Sequence, residues 1–98
     1  MTVYNYYAVI TKDKQKDDTD YTYLVTFPDL QNVFTAGDSL QHAITLAEDV
    51  LALMLAHFED EGQTFAAPSS FAALKDNVRE GSTLALIEVD THTYRKKL

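Results

Sequence analysis

The first third of the chain alternates apolar and polar residues, as strands with one buried face do. Residues 4–11 and 21–27 form two such runs, and residues 32–36 form a shorter third run. Pro28 ends the second run, because proline has no N–H to donate to a strand ladder. Consecutive strands this close together favour antiparallel pairing.

A helical period of apolar residues follows over residues 40–61. Asp38 or Ser39 can cap the start of this helix, and Gly62 can end it. One apolar stripe is predicted to pack on the sheet. Its members are Leu40, Ala43, Ile44, Ala47, Leu51, Met54, Leu55 and Phe58.

A second apolar ridge lies off that stripe and is formed by Leu46, Val50, Leu53 and His57. A single helix on a single sheet does not need such a ridge. Either residues 63–75 fold back over it, or it contacts another subunit or a partner. The pattern leaves both alternatives open.

The remaining residues predict a short helix over 70–76 and a last strand over 83–90. The apolar run of this strand indicates burial on both faces, and the preceding helix suggests a crossover that makes the strand parallel to a neighbour. The predicted fold class is α+β, in the order β-β-β-α-(short α)-β. One main helix would pack on a four-stranded mixed sheet.

The composition fits one domain that spans residues 1–98. Eight Lys and Arg residues stand against fifteen Asp and Glu residues, for a formal charge of -7. Without a cationic surplus, nucleic-acid binding is doubtful, and the acidic charge favours a basic protein partner. The sequence has no cysteine, no signal peptide and no apolar run of membrane-spanning length, so we expect a cytoplasmic protein.

No motif indicates catalysis or a bound metal. His42, His57 and His92 lack the spacing of a metal site. The aspartates of residues 12–20 lack the glycine and glutamate of a calcium-binding loop. Neither an activated nucleophile nor a glycine-rich nucleotide loop occurs. We therefore expect no enzyme activity, no cofactor and no metal.

Tyrosines on the first two predicted strands leave a second function open. Aromatic rings on an open sheet can stack on RNA bases. The rings in question are Tyr4, Tyr6, Tyr7, Tyr21 and Tyr23. These predicted strands carry no basic residue, and tyrosine also packs well in cross-strand pairs. Packing is the favoured interpretation, and RNA binding is the alternative.

Residues 25–51 resemble the signature stretch of HicB-like antitoxin domains. In that family a strand ends in Phe-Pro-Asp-Leu, and a short strand and a helix with alanines on its inner face follow. The matching residues are Phe27, Pro28, Asp29, Leu30, Thr35, Gly37, Asp38, Ser39, Leu40, Ala43 and Ala47. We expect Gly37 to adopt a turn conformation that other residues disfavour.

The resemblance implies a partial RNase H-like fold without nuclease activity. HicB-like proteins neutralise HicA, a small basic RNA-cleaving toxin, and they typically form dimers or tetramers. Two features depart from the family pattern. His42 stands where Glu is frequent, and the chain ends at Leu98, where many members continue into a DNA-binding domain. The chain is then either a fragment of a longer protein or a stand-alone member of the wider family. Within residues 1–98 we expect a single HicB-like domain with no C-terminal DNA-binding domain.

The sequence thus predicts a non-catalytic antitoxin-like domain that binds a small basic toxin of the HicA type. The predicted partner contacts are the charged loop of residues 12–20 and the FPDL turn, which is Phe27, Pro28, Asp29 and Leu30. The second ridge is the predicted interface of a homodimer or tetramer. The alternatives are RNA binding by the tyrosine-bearing sheet and a plain homo-oligomerisation module.

Overall fold

Four strands form one sheet in the computed structural model, which describes residues 3–14, 21–30 and 32–96. The strands are β1 (Val3–Lys14), β2 (Tyr21–Thr26), β3 (Phe34–Gly37) and β4 (Ser82–Asp90). Their order in the sheet is β3-β2-β1-β4, and every neighbouring pair is antiparallel. Residues 15–20, which make up most of the charged loop, lie outside the described residues.

The main helix α1 (Leu40–Asp60) starts and ends where the sequence predicts. Ser39 is its N-cap, and the Ser39 hydroxyl accepts a hydrogen bond of 3.0 Å from the His42 amide. Gly62 follows the last turn with a φ of 65°, a conformation that glycine adopts without strain. The amides of Gly62 and Gln63 both donate to carbonyls of that last turn.

One face of α1 forms the core with the inner face of the sheet. The buried helix residues are Ala43, Ala47, Leu51, Ala52, Leu55 and Ala56. The buried strand residues include Tyr6, Ala8, Ile10, Val25, Ile87 and Val89. Leu40 does not pack as predicted and is 49% exposed.

Gly37 is required for a close approach of two backbones, and the predicted turn conformation is wrong. The glycines with positive φ in the described part of the chain are Gly62 and Gly81. A Cβ on Gly37 would instead lie 2.6 Å from the backbone nitrogen of Ala43. The absence of a side chain at Gly37 therefore lets the start of α1 rest directly on β3.

The predicted α+β fold with one main helix on a four-stranded sheet is confirmed, but the mixed sheet is wrong. The last strand, β4, lies at the edge and runs antiparallel to β1. The end of α1 lies near Tyr4, because Glu59 bonds to it, whereas β4 starts beside Thr11. The connection over residues 61–81 thus returns along the sheet, which reverses the direction of β4.

This connection also passes from one face of the sheet to the other. Phe65 packs on Tyr4 at 5.6 Å between ring centroids, on the inner face. Phe71 packs on Tyr7 at 5.9 Å, and Tyr7 points to the outer face because side chains alternate along a strand. Phe71 begins the short helix α2 (Phe71–Leu74), which a 3₁₀ turn (Lys75–Asn77) continues. The outer face is thereby covered in part.

A third helix, α3 (Thr91–Lys96), follows β4 directly and was not predicted. Its start is capped by the Asp90 carboxylate, which accepts hydrogen bonds from the His92 and Thr93 amides. In the described part of the chain, no helix is long and apolar enough to cross a bilayer.

Candidate partner-binding surfaces

A groove rimmed by carboxylates lies where α1, β4 and α3 meet, and it encloses about 550 Å³. Glu48 and Asp49 line it from α1, and Glu88 and Asp90 line it from β4. Asp90 caps α3, whereas the side chains of the other three are exposed. These carboxylates therefore form an acidic rim on an open surface, which we name the acidic groove.

The floor of the acidic groove is apolar. Ala52 and Val89 are 6% and 7% exposed and line it, together with the ring of Tyr94. Lysine and arginine side chains combine a long aliphatic stem with a cationic head. The stem of such a side chain would fit the floor, and its head would reach the rim, where charge-assisted hydrogen bonds are strong.

The α3 wall of the groove is held in place by a polar network centred on Glu59. Arg95 donates to Glu59 and to Asp60, each at 2.8 Å. The Tyr4 hydroxyl donates to Glu59 at 2.6 Å, and the buried Thr91 hydroxyl donates to it at 3.2 Å. One carboxylate thus ties β1, α1 and α3 together and fixes the shape of the groove.

The network shifts the pKa values of its members in opposite directions. Burial raises the pKa of Glu59. The hydrogen bonds that it accepts from Tyr4, Arg95 and Thr91 lower the pKa by more than burial raises it, so the pKa of Glu59 lies below its ordinary value. The hydrogen bond to Glu59, followed by burial, raises the pKa of Tyr4 to about 12. Neutral Tyr4 beside ionised Glu59 is therefore the favoured state.

This pairing predicts a loss of stability in alkali. A tyrosine whose folded pKa is about 12 and whose unfolded pKa is 10.0 stabilises the fold fully below pH 10, and this contribution disappears as pH rises towards 12. Urea unfolding between pH 9 and 12 should show a shallower decline for Tyr4→Phe than for the wild type. Tyr7→Phe, on the opposite face of β1, should keep the wild-type decline. Equal declines for Tyr4→Phe and the wild type would contradict the assignment.

The FPDL turn lies beside β1 where β2 has ended, and it is mostly internal. Phe27 and Leu30 are 3% and 5% exposed. Asp29 accepts a 2.7 Å hydrogen bond from the Ser69 amide and a 2.6 Å hydrogen bond from the Ser69 hydroxyl. Only Pro28 is exposed. The turn therefore anchors the connection that leads from α1 to α2, and its contact with a partner stays a prediction.

Replacing Asp29 by Ala should lower the free energy of unfolding by about 2 kcal/mol, because it removes two bonds to a charged acceptor and leaves a part-buried amide unpaired. Ser69→Ala removes only the hydroxyl bond and should cost about 1 kcal/mol. Chemical denaturation of both variants measures the difference. If Asp29→Ala costs no more than Ser69→Ala, the Asp29 carboxylate does not anchor the connection.

The tyrosines pack against the protein. Tyr6 is 1% exposed, and its hydroxyl donates to the Ala66 carbonyl. Tyr4 and Tyr23 pack against the core cluster, and Tyr7 lies against Phe71. The side chain of Tyr21 lies outside the described residues. The packing interpretation of the other four rings is confirmed.

The second ridge remains at the surface of α1. Leu53 is 50% exposed and His57 is exposed, while Leu46 and Val50 are partly buried. Residues 63–75 do not cover Leu53, because they run past Tyr4 and Tyr7 instead. The role of the ridge as an oligomer interface stays a prediction. Among the described residues, no three His, Asp or Glu side chains form a group that could hold a metal ion.

Sequence reasoning missed the acidic groove. Glu48 and Asp49 are about forty residues from Glu88, so only the fold brings them together. One local signal was available, because Glu48, Asp49 and Ala52 lie within one turn on the same side of a predicted helix. The missing information was the position of β4 at the sheet edge, next to this side of α1.

One family model matches this chain over most of its length. The family model for the HicB-like antitoxin of bacterial toxin–antitoxin systems matches residues 6–98. A comparison with curated protein sequences gave no match.

Several solved structures are similar as well. A chain of a toxin–antitoxin complex from Streptococcus pneumoniae matches with a TM-score of 0.78 and 23% identity over 95% of this chain and 73% of that one. The N-terminal domain of Burkholderia pseudomallei antitoxin HicB gives a TM-score of 0.65 and 20% identity, covering 88% of this chain and 98% of that domain. A chain of the HicA3 and HicB3 toxin–antitoxin complex gives 0.58 and 24%, with the same coverage. At these identities the likeness shows a shared fold.

Proposed function

The chain belongs to the HicB-like antitoxin family of bacterial toxin–antitoxin systems, and on this premise we propose that it neutralises a small basic toxin of the HicA type. Neutralisation would be by binding, without catalysis, and would take place in the cytoplasm, where an mRNA-cleaving toxin meets its substrate. The binding unit in this proposal is the single domain of residues 1–98.

The acidic groove is the observation that carries the proposal. The net charge of -7 attracts a basic protein over a distance, which speeds encounter. The groove then offers Glu48, Asp49 and Glu88 around an apolar floor. An RNA-cleaving protein needs cationic side chains to hold phosphates. A groove that binds those cations would compete with RNA for the same surface of the toxin.

The FPDL turn is a secondary contact in this proposal. Phe27 and Leu30 are buried, so the turn would touch the toxin through exposed Pro28. Its larger effect would be indirect, because Asp29 holds the connection over residues 61–81 through Ser69. RNA binding is not the leading function, since Tyr4, Tyr6 and Tyr7 are engaged in packing.

Co-expression in a bacterial host tests this function. A small basic protein of the HicA type, sought in the reading frame beside that of the chain, would be induced alone, with the wild-type chain, and with the unrelated acidic protein of a different toxin–antitoxin pair. We expect growth arrest in the first and third cultures and growth in the second. Arrest in all three cultures, although both proteins accumulate, would contradict the proposal. Recovery of RNA with the purified chain, without the basic protein, would favour the RNA-binding alternative.

A further inference from the structure

The sheet ends at β4 in a long strand edge without the usual protection. β4 is the last strand in the order β3-β2-β1-β4, so no strand of the described residues lies on its other side. Proteins commonly protect an edge with a short strand, a bulge, a proline or a lysine. β4 has nine residues, contains neither proline nor lysine, and pairs with β1 in a continuous register without a bulge. The strand at the other edge, β3, has only four residues.

The backbone groups of Leu84, Leu86 and Glu88 point to this free edge. The Ser82 amide donates to the Arg79 carbonyl at 3.0 Å and is therefore turned away from β1. In an antiparallel pair, residues that bond to the neighbouring strand alternate with residues that do not. Because the register is unbroken from Ser82 onwards, every second residue of β4 directs its N–H and C=O away from β1. Among the described residues, the backbone hydrogen bonds outside helices and strands do not involve Leu84, Leu86 or Glu88.

The acidic groove reaches this edge at one end. Glu88, Val89 and Asp90 all line the groove, although side chains alternate between the two faces of a strand. Val89 is buried on the inner face, beneath α1, and Glu88 is exposed on the outer face. A groove that is lined by three consecutive residues of a strand must also border the backbone at its edge.

Carboxylates flank the edge on both sides. Glu48 and Asp49 line the groove from α1, which packs on the inner face, and Glu88 lines it from the outer face. The side chains of a strand added at this edge would alternate between the same two sides. Cations at neighbouring positions of such a strand would therefore each have a carboxylate within reach, where charge-assisted hydrogen bonds are strong.

We propose that an extended segment of the basic toxin adds to the sheet as a fifth strand at the β4 edge, with lysine or arginine side chains on both of its faces. This inference deepens the proposed function and rests on it. In strand addition, main-chain hydrogen bonds supply the affinity and side chains supply the specificity. Leu84, Leu86 and Glu88 would supply the main-chain bonds, and the carboxylates of the groove would select a basic segment.

Charge disfavours a second copy of this chain at the same edge. Two β4 edges side by side would bring the groove carboxylates of both copies close together, and each chain carries a net charge of -7. Like charges on neighbouring strands are destabilising. The carboxylates beside the edge therefore oppose pairing between copies and favour a basic strand.

Amide hydrogen exchange tests the inference, measured for each residue by NMR. The chain would be measured alone and in complex with the purified basic protein of the co-expression test. We expect exchange at Leu86 and Glu88 to slow about tenfold or more in the complex, because both amides gain hydrogen bonds. Ile87 is the internal control, since its amide bonds to β1 and should exchange slowly in both states.

Three outcomes would overturn the inference. Unchanged exchange at Leu86 and Glu88 in a complex that has formed would exclude strand addition and leave the proposed function intact. If the basic protein does not bind the wild-type chain, the proposed function and the inference both fail. If both amides are protected in the chain alone, increasingly so at higher concentration, a second copy occupies the edge.

A matched pair of variants separates the contribution of the amide from that of the side chain. Leu86→Pro removes the N–H at the edge, where a strand tolerates proline, and Leu86→Ala shortens the same side chain but keeps the N–H. We expect toxin binding about tenfold weaker for Leu86→Pro and within about threefold of the wild type for Leu86→Ala. Equal affinities of two folded variants, as judged by circular dichroism, would contradict strand addition. If Leu86→Pro does not fold, the exchange measurement on the wild type decides alone.

Discussion

Gly37→Ala is expected to lower the free energy of unfolding by about 3 kcal/mol, near the upper end of overpacking effects. The added Cβ would lie 2.6 Å from the backbone nitrogen of Ala43 and 2.8 Å from its Cα, so the start of α1 would have to move away from β3. Thermal unfolding should show a decrease in Tm of about 15 °C for a domain of this size.

Gly62→Ala is the matched control. Gly62 has a φ of 65°, but no atom lies within 4 Å of the added Cβ. The control therefore measures backbone strain alone, which costs about 1 kcal/mol. If Gly62→Ala destabilises as much as Gly37→Ala, the close approach of α1 to β3 is not what requires a glycine at position 37.

Neutralising the rim of the acidic groove should weaken toxin binding about 100-fold. The triple variant Glu48→Gln, Asp49→Asn and Glu88→Gln keeps the shape of each side chain and removes the charge. Loss of several charge-assisted contacts costs about 2.7 kcal/mol in total, which corresponds to this factor. Titration calorimetry with the purified toxin measures it directly.

The control for the groove variant removes three charges elsewhere. Glu61→Gln, Asp76→Asn and Glu80→Gln change exposed residues that do not line the groove. This variant should bind within a few-fold of the wild type, because only long-range attraction is reduced. Equal weakening by both triples would mean that net charge, and not the groove, determines affinity.

Local patterns predicted most of the elements. Alternation located β1, β2 and β3, and the 3.6-residue period located α1 with its Ser39 cap and Gly62 stop. These features depend on residues within a few positions of one another, which a sequence displays directly. The resemblance in residues 25–51 identified the family, which the match over residues 6–98 confirms.

The direction of β4 in the sheet could not be predicted from local sequence patterns. It depends on residues 61–81 turning back along the sheet, which in turn depends on the contact of Asp29 with Ser69 forty positions away. The role of Gly37 likewise depends on a tertiary contact that the local sequence does not show. The sequence indicates that a glycine is needed there, but only the position of Ala43 above it gives the reason.

The sequence predicted the kind of partner, but it did not predict which residues form the candidate site. The charge of -7 predicted a basic partner. The FPDL turn was predicted as a partner contact because its sequence is distinctive, but Phe27 and Leu30 are buried in the core. The groove carboxylates are ordinary surface residues in the sequence, and their grouping arises from the position of β4 at the sheet edge beside α1.

The most direct measurement of the central claim is RNA cleavage by the purified toxin in the presence of increasing amounts of the chain. We expect cleavage to fall to zero near one chain per toxin for the wild type and for the Glu61, Asp76 and Glu80 control. The Glu48, Asp49 and Glu88 variant should require about a 100-fold higher concentration when the toxin is dilute. Undiminished cleavage at an excess of wild-type chain that binds the toxin would contradict neutralisation by occlusion.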